Sequence, residues 1–111
     1  MKVYNKLVRD KIPQIIKDSG KKSYCHIADE KEYLEVLKDK INEEVEEFYE
    51  TPCIEEMADI LEVLGALADY HGFSKDEIEK ARLEKNRKRG AFKNRIILEK
   101  VDENRDEMEN V

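Results

Sequence analysis

Cysteine, histidine and glycine are scarce in this chain, and each shortage closes off a class of function. The two cysteines among 111 residues, Cys25 and Cys53, have neither metal-ligand nor redox spacing. Reduced thiols in a cytoplasmic protein are the expectation, because nothing resembles a signal peptide. The two histidines, His26 and His71, lie outside the acidic segments. A di-iron helical bundle brings Glu-x-x-His pairs, so their absence argues against redox iron. The four glycines form no phosphate-cradling loop, and no spacing marks a Ser or Cys nucleophile with its base. Apolar runs fall short of the ~20 residues a membrane-spanning helix needs, so no membrane partner is expected. A net charge of −6 argues against nucleic acid as a partner of the whole protein. With neither repeat nor linker, one domain over residues 1–101 is expected, followed by a charged tail over 102–111 that frays.

What the chain has is charge, at 43% of residues, set against 40% hydrophobic residues, enough for a thin core. A first helix is expected over 10–19, with Pro13 tolerated in its first turn and Gly20 as its stop. A second should open at Asp29, where Asp29 and Glu32 match a capping box, and run to about Tyr49. Leu34, Leu37, Ile41, Val45 and Phe48 recur at spacings of three and four, giving it one apolar stripe. For a third helix, Thr51 is the expected N-cap and Pro52 the first helical residue, with the end at His71 before Gly72. Its apolar residues, among them Ile54, Met57, Ile60, Leu61, Val63, Leu64 and Leu67, cover more than one stripe. One small chain has too little else to bury them, which predicts a homodimer or homotetramer packed on residues 54–68. Ser74 and Glu77 match another capping box, opening a fourth helix that runs towards Lys88 and stops at Gly90. The segments 21–28 and 95–101 read as extended and predict a minor two-stranded β element. The fold class expected is therefore an all-α helical bundle with that small addition, assembled as an oligomer.

The chemistry concentrates where the second and third helices meet. Glu44 and Glu47 are three residues apart, as are Glu56 and Asp59, so each pair shares a helix face. In a helical hairpin the two pairs lie at similar distances from the turn, and four carboxylates converge. Like charges held that close repel unless a cation sits among them. Oxygen ligands without His or Cys point to Mg²⁺, with Mn²⁺ as the second choice. Acidic runs on helices are also common as solvated faces, but Glu56 and Asp59 sit in the most apolar segment, where an unpaired charge is costly. Positive charge gathers in two places. Arg82, Lys85 and Arg89 share a helix face with Asn86 beside them, and Lys6, Arg9 and Lys11 cluster near the start. Cations near a helix C-terminus also complement its dipole, while a basic cluster in an acidic protein suits an anionic ligand.

Together, Glu43-Glu44-x-x-Glu47 and Glu56-x-x-Asp59 resemble the signature of the MazG-like, all-α nucleoside triphosphate pyrophosphohydrolase superfamily. The opening Tyr4-Asn5-Lys6-Leu7-Val8-Arg9-Asp10-Lys11-Ile12-Pro13 resembles its phosphoribosyl-ATP pyrophosphohydrolase-like subgroup, and Lys85-Asn86-Arg87-Lys88-Arg89-Gly90-Ala91-Phe92 resembles the basic stretch after its last core helix. The gap over 48–55 is shorter than in the wider superfamily, which leaves base specificity open. The resemblance implies hydrolysis of a nucleotide between its α and β phosphates, to a monophosphate and pyrophosphate. It also implies that Glu44, Glu47, Glu56 and Asp59 are Mg²⁺ ligands, and that Glu43 supports catalysis beside Glu44 and Glu47, either orienting water or holding a second ion. Lys6, Arg9, Lys85, Asn86 and Arg89 would meet the substrate. The competing readings are a non-catalytic nucleotide-binding or regulatory homologue on the same scaffold, and a plain helical oligomerisation module.

Overall fold

A computed structural model describes residues 1–102 of the chain. Among them are four helices and no strand: α1 (Ile12–Asp18), α2 (Glu30–Glu50), α3 (Ile54–His71) and α4 (Lys75–Arg89). No helix is long and apolar enough to cross a membrane. The chain forms two compact units, one spanning Met1–Ile78 and one that begins at Glu79, inside α4. The tail expected to fray lies outside the described residues, except for Asp102.

In the first unit, α2 and α3 pack as an antiparallel hairpin. The Tyr33 and Tyr70 rings meet edge to face at 6.1 Å at its open end, while Thr51, Pro52 and Cys53 connect the helices at the other. The α2 stripe behaves as its spacing requires. Leu37 is 1% exposed, and Leu34, Ile41, Val45 and Phe48 are half-buried. Opposite them, Ile60, Val63 and Leu67 recur at three and four residues along α3, and all are shielded. A second apolar stripe on α3, at Ile54, Met57, Leu61 and Leu64, stays uncovered, with Ile54 at 82% and Leu61 at 63% exposure. The hairpin therefore encloses a thin core and leaves half of the apolar surface of α3 open.

Local signals fix the helix ends. Asp29 accepts from Glu32 N at 2.9 Å, but the Glu32 carboxylate turns to His26 Nε2 at 3.0 Å, so the expected capping box is only half formed. Both bonds of the Ser74–Glu77 box are made, each at 3.1 Å. Gly72 takes the left-handed conformation (φ 76°), and Gly72 N and Phe73 N bond to Asp69 O and Ala68 O to close α3. Along the exposed α4, Arg82 pairs with Glu79, while Arg87 and Lys88 pair with Glu84.

Two expectations are corrected. Thr51 does not cap α3. It terminates α2, its N–H bonding to Glu47 O at 2.9 Å, and α3 starts two residues later than expected, at Ile54 after Cys53. Pro52 disfavours the helical region for the residue before it, so Thr51 leaves the helix there. The two-stranded element is also absent from the described residues. Segments 21–28 and 95–101 are irregular, with Ile27, Ile96 and Ile97 more than four-fifths exposed and Arg95 at φ 57°. β-propensity expresses packing on a half-buried pleated surface, which these exposed segments lack.

Candidate metal centre

The hairpin brings five carboxylates together close to its turn. From α2, carboxylate oxygens of Glu43, Glu44 and Glu47 lie within 4.8 Å of one another. From both helices, those of Glu44, Glu56 and Asp59 do the same, so Glu44 is common to the two groups. The i, i+3 spacing turns Glu44 with Glu47, and Glu56 with Asp59, to one side of each helix. Packing of α2 on α3 then brings Glu44 together with Glu56 and Asp59.

Burial makes this more than a solvated acidic face. Glu44 is 5% exposed, the one buried charged residue among those described. Its Oε2 and the Oε2 of Glu56 are both buried without a hydrogen-bond partner. An orphaned buried acceptor costs about 1–3 kcal/mol, and more when it carries charge. Loss of water pushes the Glu44 carboxyl above its ordinary value, the hydrogen bond from Lys40 opposes this, and the charges of Glu47 and Asp59 add to the rise. Such a pocket suits a small hard cation. The donor set is all oxygen, and ligands ~2.1 Å from Mg²⁺ stand at most ~4.2 Å apart, close to the 4.8 Å within which each three-carboxylate group falls.

Positive side chains border the acids. Lys6 Nζ donates to Glu43 at 2.9 Å and Arg9 Nη2 to Asp59 at 2.7 Å. The Lys6 bond is the main reason the Glu43 carboxyl lies below its ordinary value, and the same contact raises the Lys6 ammonium. Lys40 approaches Glu44 at 3.2 Å and Glu43 at 3.6 Å. Of the residues the sequence singles out, Glu43, Glu44, Glu47, Glu56, Asp59, Lys6 and Arg9 are thus gathered in the first unit. Lys85, Asn86 and Arg89 belong to the second unit, on α4, where Asn86 is half-buried.

Sequence reasoning missed Lys40. Its signal was the i, i+3 and i, i+4 spacing to Glu43 and Glu44, a pattern too frequent on helices to stand out. Lys40 is the main counter-charge to a buried glutamate. Lys40→Met is therefore expected to lower metal-free stability by about 1–2 kcal/mol, read as a lower denaturant midpoint, with added Mg²⁺ recovering most of the loss. An unchanged midpoint would reduce Lys40 to a surface charge.

No protein-family model, curated protein or solved structure matches the chain.

Proposed function

We propose that the chain is a Mg²⁺-dependent nucleotide pyrophosphohydrolase on a MazG-like helical scaffold. It would cleave the α–β phosphoanhydride of a nucleoside triphosphate or related nucleotide, in a role such as clearing non-standard nucleotides. The observation that carries this reading is the pair of buried, unpartnered oxygens on Glu44 and Glu56 inside a five-carboxylate cluster. Surface acids need no such burial, and a buried charge without a partner is costly.

In this reading Glu44, Glu47, Glu56 and Asp59 hold the ion, and Glu43, partly exposed at the rim, orients the attacking water. A bound divalent cation supplies counter-charge for the phosphates and acidifies water. Lys6 and Arg9 add positive charge where negative charge spreads over the phosphoryl oxygens in the transition state. The uncovered α3 stripe of Ile54, Met57, Leu61 and Leu64 supports assembly as a homodimer or homotetramer. Light scattering at micromolar concentration should report the oligomer, and a monomer at every concentration would contradict it.

The activity is tested by incubating the protein with a panel of nucleoside triphosphates, with and without Mg²⁺. The expected products are a monophosphate and pyrophosphate, formed only with the metal. Absence of pyrophosphate from every nucleotide, or release of orthophosphate instead, would contradict the reading.

A further inference from the structure

The segment before α1 contributes two cations to the acidic centre, and they land on different helices. Lys6 holds Glu43 of α2, and Arg9 holds Asp59 of α3. This arm, residues 1–11, therefore bridges the hairpin at the cluster. Little else fastens it. Leu7 is half-buried, but Val3, Tyr4 and Val8 are exposed. Its backbone bonds are local ones at the start of α1, from Ile12 N to Arg9 O at 3.1 Å and from Ile15 N to Lys11 O at 3.0 Å. Asn5 adopts a left-handed backbone (φ 47°), a bend that favours no regular structure in the arm.

The charge arrangement is uneven. The arm neutralises Glu43 and Asp59, acids at the accessible rim, where the side chains of Lys6 and Arg9 remain 41% and 58% exposed. It does not satisfy the buried oxygens of Glu44 and Glu56. A divalent cation held by those oxygens would compete with Arg9 for Asp59, because Asp59 shares their cluster. Exposed ion pairs of this kind hold by a factor of about five or less, so the arm can be lifted at small cost.

We propose that residues 1–11 form an exchangeable strap, in which Arg9 stands in for the divalent cation and yields Asp59 when it binds, while Lys6 keeps the arm on Glu43. This rests on the metal-centre reading above. With the cation held, Asp59 turns from the guanidinium to the ion, and the arm, released from α3 but still held to α2 by Lys6, carries an unmatched guanidinium beside the centre. That charge suits the phosphate oxygens of an incoming anion, so the Arg9 side chain serves as counter-ion before loading and as phosphate contact afterwards. Arg9 thus changes partner with the state of the site, and Lys6 keeps the arm beside it.

Two measurements test the strap without relying on turnover. The first is Mn²⁺ affinity, read by electron paramagnetic resonance on wild type, Arg9→Gln and Lys6→Gln/Arg9→Gln. Removing one positive charge beside a divalent ion should tighten its binding about three- to tenfold, whereas a purely structural Arg9 would leave affinity equal or weaker. The second uses Tyr4→Trp, an exposed position in a chain without tryptophan, so that all indole emission reports on the arm. Its anisotropy should fall when Mg²⁺ is added and start low when Lys6→Gln/Arg9→Gln is combined with it. This reporter keeps Lys6 and Arg9 in place, so it decides even if the charge variants fold poorly. An unchanged Mn²⁺ affinity in well-folded variants, or a reporter that ignores Mg²⁺ while wild type binds Mn²⁺, overturns the strap and spares the metal centre. Failure of wild type to bind Mn²⁺ overturns both.

Discussion

Glu44→Gln is expected to cut pyrophosphate release by about a hundredfold or more, the scale on which one electrostatic group at a reacting centre counts. The metal-free variant should nonetheless be at least as stable as wild type. Both effects follow from where Glu44 sits. It is buried, shared by both carboxylate groups, and its Oε2 has no partner. Burial raises its carboxyl above the ordinary value of 4.5, despite Lys40. A folded-state value above the unfolded one means that folding favours the protonated form. That stabilisation is complete below the unfolded value and is lost as pH rises through the raised one. At neutral pH the ionised side chain therefore opposes folding, and a neutral amide of similar shape removes the opposition. The stability gap in favour of Glu44→Gln should open as pH climbs above about 4.5, which melting curves across pH would show. A variant both inactive and clearly less stable would make Glu44 a fold-holding residue instead.

Magnesium is expected to stabilise wild type strongly. A ligand at ~100 times its dissociation constant adds about 2.7 kcal/mol. For a domain of this size that raises the melting temperature by roughly 10–20 °C. That ratio is reached at modest Mg²⁺ concentration because the ion relieves repulsion among the carboxylates and satisfies two orphaned oxygens at once. Asp59→Asn or Glu56→Gln should remove most of the shift, since each takes a charge from the cluster without changing side-chain shape. Equal shifts in wild type and Asp59→Asn would mean that the ion binds elsewhere.

Much of the hairpin could be read from the chain because its determinants are local. The Leu34 to Phe48 stripe, the Ser74–Glu77 box and the Gly72 stop each act within a turn or two, and each appears where the spacing places it. The meeting of Glu44 with Glu56 and Asp59 follows from two such helices and a short connection. Features that depend on competition or distance were harder to read. Thr51 suits either helix end, and only the constraint from Pro52 decides that it closes α2. Segments 21–28 and 95–101 carry strand-like residues, but residue type does not supply a surface to pack on. The contacts of Lys6 with Glu43 and Arg9 with Asp59 span 37 and 50 residues, and no spacing rule reaches that far.

If the hairpin carboxylates form a divalent-cation site, Mn²⁺ titration of the metal-free protein will show it. Electron paramagnetic resonance separates free from bound Mn²⁺ without any assumption about substrate. The expected result is saturable binding that Mg²⁺ displaces and that Asp59→Asn weakens by about tenfold or more. No bound Mn²⁺, or binding of equal strength in wild type and Asp59→Asn, would contradict it.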